Sequence, residues 1–154
     1  MNKNFNIKFC KFYRNEPTKK YLAWLNDKKT IKYTSIKNKQ NFKRVKKYII
    51  LNKLDKNVNF LKICIKKKKN YIHIGNIRIV YDNNDATIEL IIGDSRYKNI
   101  GIGNYCLIKT IKLLKKKKIK LLKAFISKKN ASSIKIFKKT GFTNLNNEIW
   151  VLKT

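Results

Sequence analysis

The chain has 154 residues, about one domain's worth, and combines 39 Lys and Arg with 8 Asp and Glu for a formal net charge of +31. Hydrophobic residues at 43 % and aromatics at 12 % exclude disorder through lack of apolar surface. No apolar stretch reaches the roughly 18 residues of a membrane span, and Met1 to Cys10 lacks the apolar centre of a secretory signal, so a cytoplasmic protein is expected.

Residues Asn6 to Tyr13 alternate apolar and polar side chains and suit a first strand. Asn15 and Pro17 then open a helix in which Tyr21, Leu22, Trp24 and Leu25 share a face, and Asn41 caps a second with Phe42, Val45, Tyr48 and Ile49 at helical spacing. Leu61, Ile63 and Ile65 alternate with Lys62, Cys64 and Lys66 in a strand, and a longer strand follows from Tyr71 to Tyr81. Its apolar phase slips between Ile74 and Ile77, which places a bulge at Gly75 and Asn76. Asp82 to Asp85 make a hairpin turn into a strand from Ala86 to Ile92. A helix then carries Leu107, Ile108, Ile111 and Leu114 on one face, and the apolar run Leu121 to Ile126 reads as a central strand covered on both faces. Asn130 caps a last helix that Gly141 stops, and Phe142 to Leu152 close the chain as an Asn-rich hairpin. The order βααβββαβαββ describes one α/β domain of the α+β kind over residues 1–154: a mixed, mostly antiparallel sheet of about seven strands flanked by four helices.

Cys10, Cys64 and Cys106 are far apart and have no C-x-x-C spacing, and His73 is the lone histidine, so buried free thiols are expected rather than a metal site. The charge leaves two readings open. It marks a polyanion partner, or it follows from codon drift, since 35 Lys, 20 Asn and 23 Ile share A/T-rich codons while only 4 Arg are present. A nucleic-acid-binding protein would gather its cations on one face among exposed aromatics; here the lysines are spread over every expected element, which disfavours that reading.

The sharpest feature is Lys98-Asn99-Ile100-Gly101-Ile102-Gly103-Asn104, which follows a strand and opens a helix. Glycines at 101 and 103 let a ligand approach the backbone, and the free N–H groups of a helix start favour a phosphate or pyrophosphate. A plain helix entry that needs glycine for its turn is the competing reading. Neither the G-x-x-x-x-G-K-[ST] loop nor the third glycine of G-x-G-x-x-G is present, since that position is Cys106.

The segment [RQ]-x-x-G-x-[GA], here Lys98, Gly101 and Gly103, followed by N-x-x-[SA]-x-x-x-[YF]-x-x-x-G-F, here Asn130, Ser133, Phe137, Gly141 and Phe142, resembles the GCN5-related N-acetyltransferase (GNAT) family. The resemblance spans nearly the whole chain. It implies acetyl-CoA as donor, with the pyrophosphate on backbone amides from Lys98 to Asn104 and the pantetheine arm along Leu90, Ile91 and Ile92, where the strand splays from its parallel neighbour. Asn130, Ser133 and Phe137 would border the cofactor, although Asn130 also reads as a simple helix cap.

Glu89 interrupts the series Ile88, Leu90 and Ile92 and points to the opposite face. In this family a glutamate here often serves as general base for the acceptor ammonium, and burial would suit it to that task; the alternative is a carboxylate paired with one of the many lysines. The usual proton donor to the departing thiolate is a tyrosine where this chain has Phe137, so water, Tyr105 or unassisted departure must replace it. An inactive CoA-binding fold is the corresponding alternative. Asn99-Ile100 stand where the loop usually reads Gly-Lys or Gly-Arg.

Within the family, Tyr21 to Asp27, Ile31 to Thr34, Ile74 to Ile77 and Ile92 to Asp94 look like the branch that acetylates nucleotide-linked amino sugars of the pseudaminic-acid type, with ribosomal-protein N-terminal acetyltransferases as neighbours. The resemblance thus implies a small-molecule amine acceptor on a nucleotide, with Arg14, Lys39 and Arg44 as cations for its phosphates and Trp24, Tyr33 and His73 as pocket walls.

Overall fold

The computed structural model describes residues 5–13 and 16–154. Its strands are β1 (Ile7–Cys10), β2 (Val58–Lys67), β3 (Asn70–Asp82), β4 (Asp85–Ile92), β5 (Leu121–Phe125), β6 (Thr143–Asn146) and β7 (Ile149–Lys153). Its helices are α1 (Lys19–Asn26), α2 (Lys28–Ile31), α3 (Phe42–Leu54), α4 (Ile102–Lys116) and α5 (Ala131–Lys139), with a 3₁₀ turn at Ser95–Tyr97. The strands form one sheet in the order β1-β2-β3-β4-β5-β7-β6, antiparallel throughout except between β4 and β5.

Alternation on the strands sorts side chains to two faces. Ile63, Ile77, Ile79, Ile88, Leu122 and Trp150 meet Ile102, Cys106, Leu107, Ile111 and Leu114 of α4 and Phe137 of α5 in the larger core. A fully buried Leu or Ile there contributes roughly 1.5–3 kcal/mol relative to exposure. Val58 and Phe60 of β2 face the other way and form a smaller core with Phe12, with Tyr21, Trp24 and Leu25 of α1, and with Val45 and Ile49 of α3.

Local signals hold where they are strongest. Asn41 caps α3 by accepting from the Arg44 amide, Asn130 caps α5 by accepting from Ser133, and Gly141 follows α5 with φ of +94°. Elsewhere the chain departs from expectation. The first strand is only Ile7–Cys10, and α1 is capped by Thr18, one residue after Pro17, while Asn15 lies outside the described residues. Asp27 ends α1 through its backbone amide, which donates to the Trp24 carbonyl, and starts the one-turn α2 through its side chain, whose Oδ2 accepts from the Thr30 amide at 2.9 Å, giving a fifth helix. The bulge lies one residue early: Ile63 pairs with Gly75 but Cys64 with His73, so the extra residue is Ile74. Finally, β5 is covered on one face only. Leu122 and Ala124 are buried, but Phe125 is 69 % exposed, because α1 and α3 pack over β2 and not over β5.

Candidate functional site

β4 and β5 pair only from Asp85 with Leu121 to Thr87 with Lys123, although β4 continues to Ile92 and β5 to Phe125. Beyond Thr87 the strands part, and the edge of β4 from Ile88 to Ile92 that faces β5 has no strand partner. The bulge holds β4 to β3 as it leaves β5. The Ile74 carbonyl accepts from both the Gly93 amide at 2.9 Å and the Asp94 amide at 3.1 Å. Gly75 lies so close that a Cβ there would sit 2.2 Å from the Ile91 carbonyl oxygen. Gly93 lies under the Trp24 indole, where a Cβ would be 2.3 Å from Cε3.

The chain then turns at Asp94, which is 4 % exposed. Its carboxylate accepts from the Arg96 guanidinium at 2.7 and 3.0 Å and from the Lys20 ammonium at 2.7 Å. These bonds, Arg96 first, hold the Asp94 carboxyl well below the usual carboxylate range against the opposing effect of burial. Lys20 belongs to α1, so the pair ties that helix to the start of the loop. Further on, Lys98 Nζ donates to Thr30 Oγ1 of α2 at 2.8 Å, so its charge is directed to that turn.

At the mouth of α4, Asn99 has φ of +58° and Gly101 φ of +97°, the latter serving as an N-cap with no side chain to bond the helix. The Tyr105 amide makes the bond back to the Gly101 carbonyl, at 3.0 Å, so the amides of Ile102, Gly103 and Asn104 have no carbonyl a turn behind them and carry the positive end of the helix dipole. A Cβ on Gly103 would lie 3.4 Å from Ile136 and 3.8 Å from Leu90, so α4, α5 and β4 close tightly around this point. Nearby, Asn104 Oδ1 is buried without a hydrogen-bond partner.

Three observations therefore fit acetyl-CoA: uncapped amides for phosphate, an unpaired strand edge for the amide-bearing arm, and an orphaned buried acceptor in Asn104. Of the positions that sequence reasoning places around this opening, the structure sets Gly103 against Leu90, leaves the Ile102 to Asn104 amides at the helix mouth and Leu90, Ile91 and Ile92 on the edge that leaves β5, and turns the Lys98 side chain to α2. Asn130 acts as the α5 cap through Ser133. Phe137 is 5 % exposed and packs edge-on against Phe142, 4.9 Å between centroids, as a core residue. Tyr105 packs edge-on against Phe5 at 5.8 Å.

Glu89 does point to the face opposite Ile88, but the expected burial is absent: its side chain is 53 % exposed and Oε1 accepts from Arg78 Nη1 at 2.7 Å. Arg78 stands directly across the hairpin from Glu89, and its Nε donates to Asn52 Oδ1 of α3 at 2.6 Å. Sequence reasoning missed both partners. The two-residue turn was the available signal for Arg78, since pairing Asp82 with Asp85 fixes Arg78 opposite Glu89 by counting.

The acceptor-side candidates do not converge on one pocket. Trp24 is a core residue at 9 % exposure, stacked over Gly93 rather than lining an opening. His73 is half-buried among the Phe12, Tyr21 and Trp24 rings. Its Nε2 faces two acceptors, the Gly75 carbonyl at 3.0 Å and Asn76 Oδ1 at 2.9 Å, so that nitrogen carries the proton. Desolvation lowers the His73 pKa below its usual value, which keeps the ring neutral at pH 7. Tyr33 is exposed beneath Lys32, and Arg44 Nη1 donates to the Lys39 carbonyl at 3.1 Å. Arg14 lies outside the described residues. Among the described residues no group of three His, Cys, Asp or Glu could hold a metal, and no helix is long and apolar enough to cross a membrane.

Comparison with known proteins supplies the remaining evidence. A comparison with curated proteins finds no sequence match. Among solved structures, a domain from Methanocaldococcus jannaschii DSM 2661 superposes with TM-score 0.82 at 19 % identity, over 98 % of this chain and 100 % of that one. The spermidine N-acetyltransferase of Vibrio cholerae, solved with CoA and spermine, gives 0.79 at 11 % identity over 96 % and 95 %. The microcin C7 self-immunity acetyltransferase MccE, solved with acetyl-CoA and AMP, gives 0.76 at 19 % identity over 98 % and 94 %. These likenesses establish the fold. The model of the acetyltransferase (GNAT) domain matches residues 12–143, and with the splayed strands and the open mouth of α4 in place the chain belongs to the GNAT family as an N-acetyltransferase that draws its acetyl group from acetyl-CoA.

Proposed function

We propose that the acceptor is a primary amine on a nucleotide-linked amino sugar, acetylated by direct attack in a ternary complex. The observation that carries this reading is the disposition of the eight carboxylates. Glu16 is paired with Lys62, Asp85 with Lys123, Glu89 with Arg78, and Asp94 with Lys20 and Arg96. Asp27, Asp55 and Glu148 accept from backbone amides of Thr30, Asn57 and Lys128, and Asp82 from the Asn83 side chain. A polycationic amine needs several free carboxylates in one cleft and meets here a chain of net charge +31. An amine that also carries phosphate is drawn by the same field.

Acetyl-CoA, when bound, supplies an activated thioester open to attack by an amine. The amides of Ile102, Gly103 and Asn104 would hold its phosphate at the mouth of α4, and the free edge of Leu90, Ile91 and Ile92 would bond its amide-bearing arm. Glu89, on the face of β4 shared with Arg78, takes the ammonium proton through Oε2. Phe137 cannot donate a proton, so the sulfur would leave as an unassisted thiolate, a better leaving group than an alkoxide or an amide anion.

The test is a panel of amines at equal concentration: a uridine-diphosphate-linked 4-amino sugar, the free amino sugar, a short peptide with an open N-terminus, spermidine and kanamycin. The nucleotide-linked amine is expected to give the highest kcat/KM, at least about 10-fold above spermidine. Equal or faster acetylation of spermidine or kanamycin overturns the acceptor assignment, and a preference for the peptide replaces it with N-terminal acetylation.

A further inference from the structure

The geometry points to Arg78 as a positioning residue for proton transfer at the acceptor site, acting through Glu89; this rests on the reading of Glu89 as the group that takes the ammonium proton. An exposed glutamate on a strand is ordinarily free to rotate about three side-chain bonds, and ordering such a chain costs conformational entropy. Glu89 is ordered by a chain of bonds that begins in the interior. The Asn52 side chain is 6 % exposed, and its Nδ2 donates to the Tyr48 carbonyl inside α3 at 2.8 Å, which leaves Oδ1 turned to the sheet. Arg78 Nε donates to that oxygen at 2.6 Å, and Nη1 of the same planar group donates to Glu89 Oε1 at 2.7 Å.

Because guanidinium is planar, fixing Nε fixes the direction of Nη1, and the carboxylate is held by one oxygen with Oε2 free for an incoming ammonium. The pairing lies just past Thr87, where β4 has left β5, so the held carboxylate stands beside the gap that admits the donor. Lysine at 78 keeps the charge but cannot bond Asn52 and Glu89 from two faces of one rigid plane. An ordinary cross-strand ion pair would only stabilise the hairpin; an effect on turnover that disappears when Glu89 is absent marks the positioning role.

The experiment compares Arg78→Met, Arg78→Lys, Glu89→Gln and the double variant Arg78→Met with Glu89→Gln. Turnover is read with whichever amine of the panel above is acetylated fastest, and acetyl-CoA affinity by calorimetry confirms that each variant is folded. Glu89→Gln is expected to lower kcat by about 10²-fold or more. Arg78→Met should lower kcat about 10- to 100-fold, with acetyl-CoA affinity kept and Arg78→Lys recovering only part of the loss. The double variant should be no slower than Glu89→Gln alone, since the two act on one event. A double variant slower than Glu89→Gln by the whole Arg78→Met factor overturns the positioning role and leaves Glu89 in place. Wild-type turnover in Glu89→Gln overturns the assignment of the base, and the Arg78 proposal with it.

Discussion

Gly93 offers a direct test of how the site is built, because the space above it is filled by one named ring. A Cβ on residue 93 would lie 2.3 Å from Trp24 Cε3, 2.4 Å from Cδ2 and 2.8 Å from Cγ, whereas ordinary contacts run from about 3.4 to 4 Å. The indole would have to withdraw by more than 1 Å. It is wedged against Tyr21 and His73 at centroid distances of 6.0 and 5.0 Å, so α1 must move with it. Overpacking of this kind costs about 1–3 kcal/mol. Loss of glycine freedom in the unfolded chain offsets about 0.4–1 kcal/mol of that, because Gly93 has no positive φ to forbid alanine. Gly93→Ala should therefore destabilise by about 1–2 kcal/mol and lower Tm by about 2–8 °C, at roughly 2–4 °C per kcal/mol for a chain of this size. In a Trp24→Leu background the obstacle is gone, and the same substitution should be neutral or slightly stabilising. Calorimetric melts of the four proteins close the cycle. An unchanged Tm in Gly93→Ala, or an equal loss in both backgrounds, would refute the account of Trp24 seated on the end of β4.

Other consequences can be measured on the same protein. Burial pushes the Cys64 and Cys106 thiols up to about 12, so at pH 8 a disulfide reagent should titrate only the half-buried Cys10 until denaturant is added. Prompt reaction of all three thiols in native buffer would contradict the packing of β2 and α4. Asp94 has a depressed folded pKa, so its contribution to stability is present in full above the unfolded value near 3.9 and is lost as pH falls below it. Asp94→Asn should therefore have a lower Tm than the parent at pH 7, with the gap closing below about pH 4; a gap independent of pH removes the ion pairs as its cause. Titration with acetyl-CoA and with a short oligonucleotide at two salt concentrations separates a built pocket from bare charge. Oligonucleotide affinity should fall steeply with salt by counterion release, and acetyl-CoA affinity much less. Parallel losses would identify the charge, rather than the mouth of α4, as the binding determinant.

What the sequence made legible was local chemistry. Asn41 and Asn130 mark helix starts because each side chain accepts from an amide three residues on, and Gly141 marks an end because it takes a φ of +94°. The opening at Gly101 and Gly103 was visible because positive φ and close packing leave few other residue types. The bulge was placed one residue late because a phase slip in side-chain alternation only brackets the extra residue; its position is set by the approach of Gly75 to the Ile91 backbone, a contact across strands. β5 reads as covered on both faces because Leu121 to Ile126 is apolar, yet burial depends on which helix reaches it, and the cluster of α1 and α3 does not extend to β5. The same limit applies to Glu89. Its face followed from alternation and its partner could be counted from the hairpin, but Asn52 comes from a helix whose docking no local pattern encodes.

The unequal division of the core has a further consequence for how the molecule opens. The layer of α1 and α3 is held by eight buried side chains around Phe12 and Phe60, whereas α4, α5 and most of the sheet share the larger cluster. Local unfolding free energy follows the apolar surface a unit buries. Amides of α1 and α3 should therefore exchange through a partial opening while those of α4 exchange only through global unfolding. The side of the sheet under α4 and α5 is thus a platform that persists while the layer of α1 and α3 breathes.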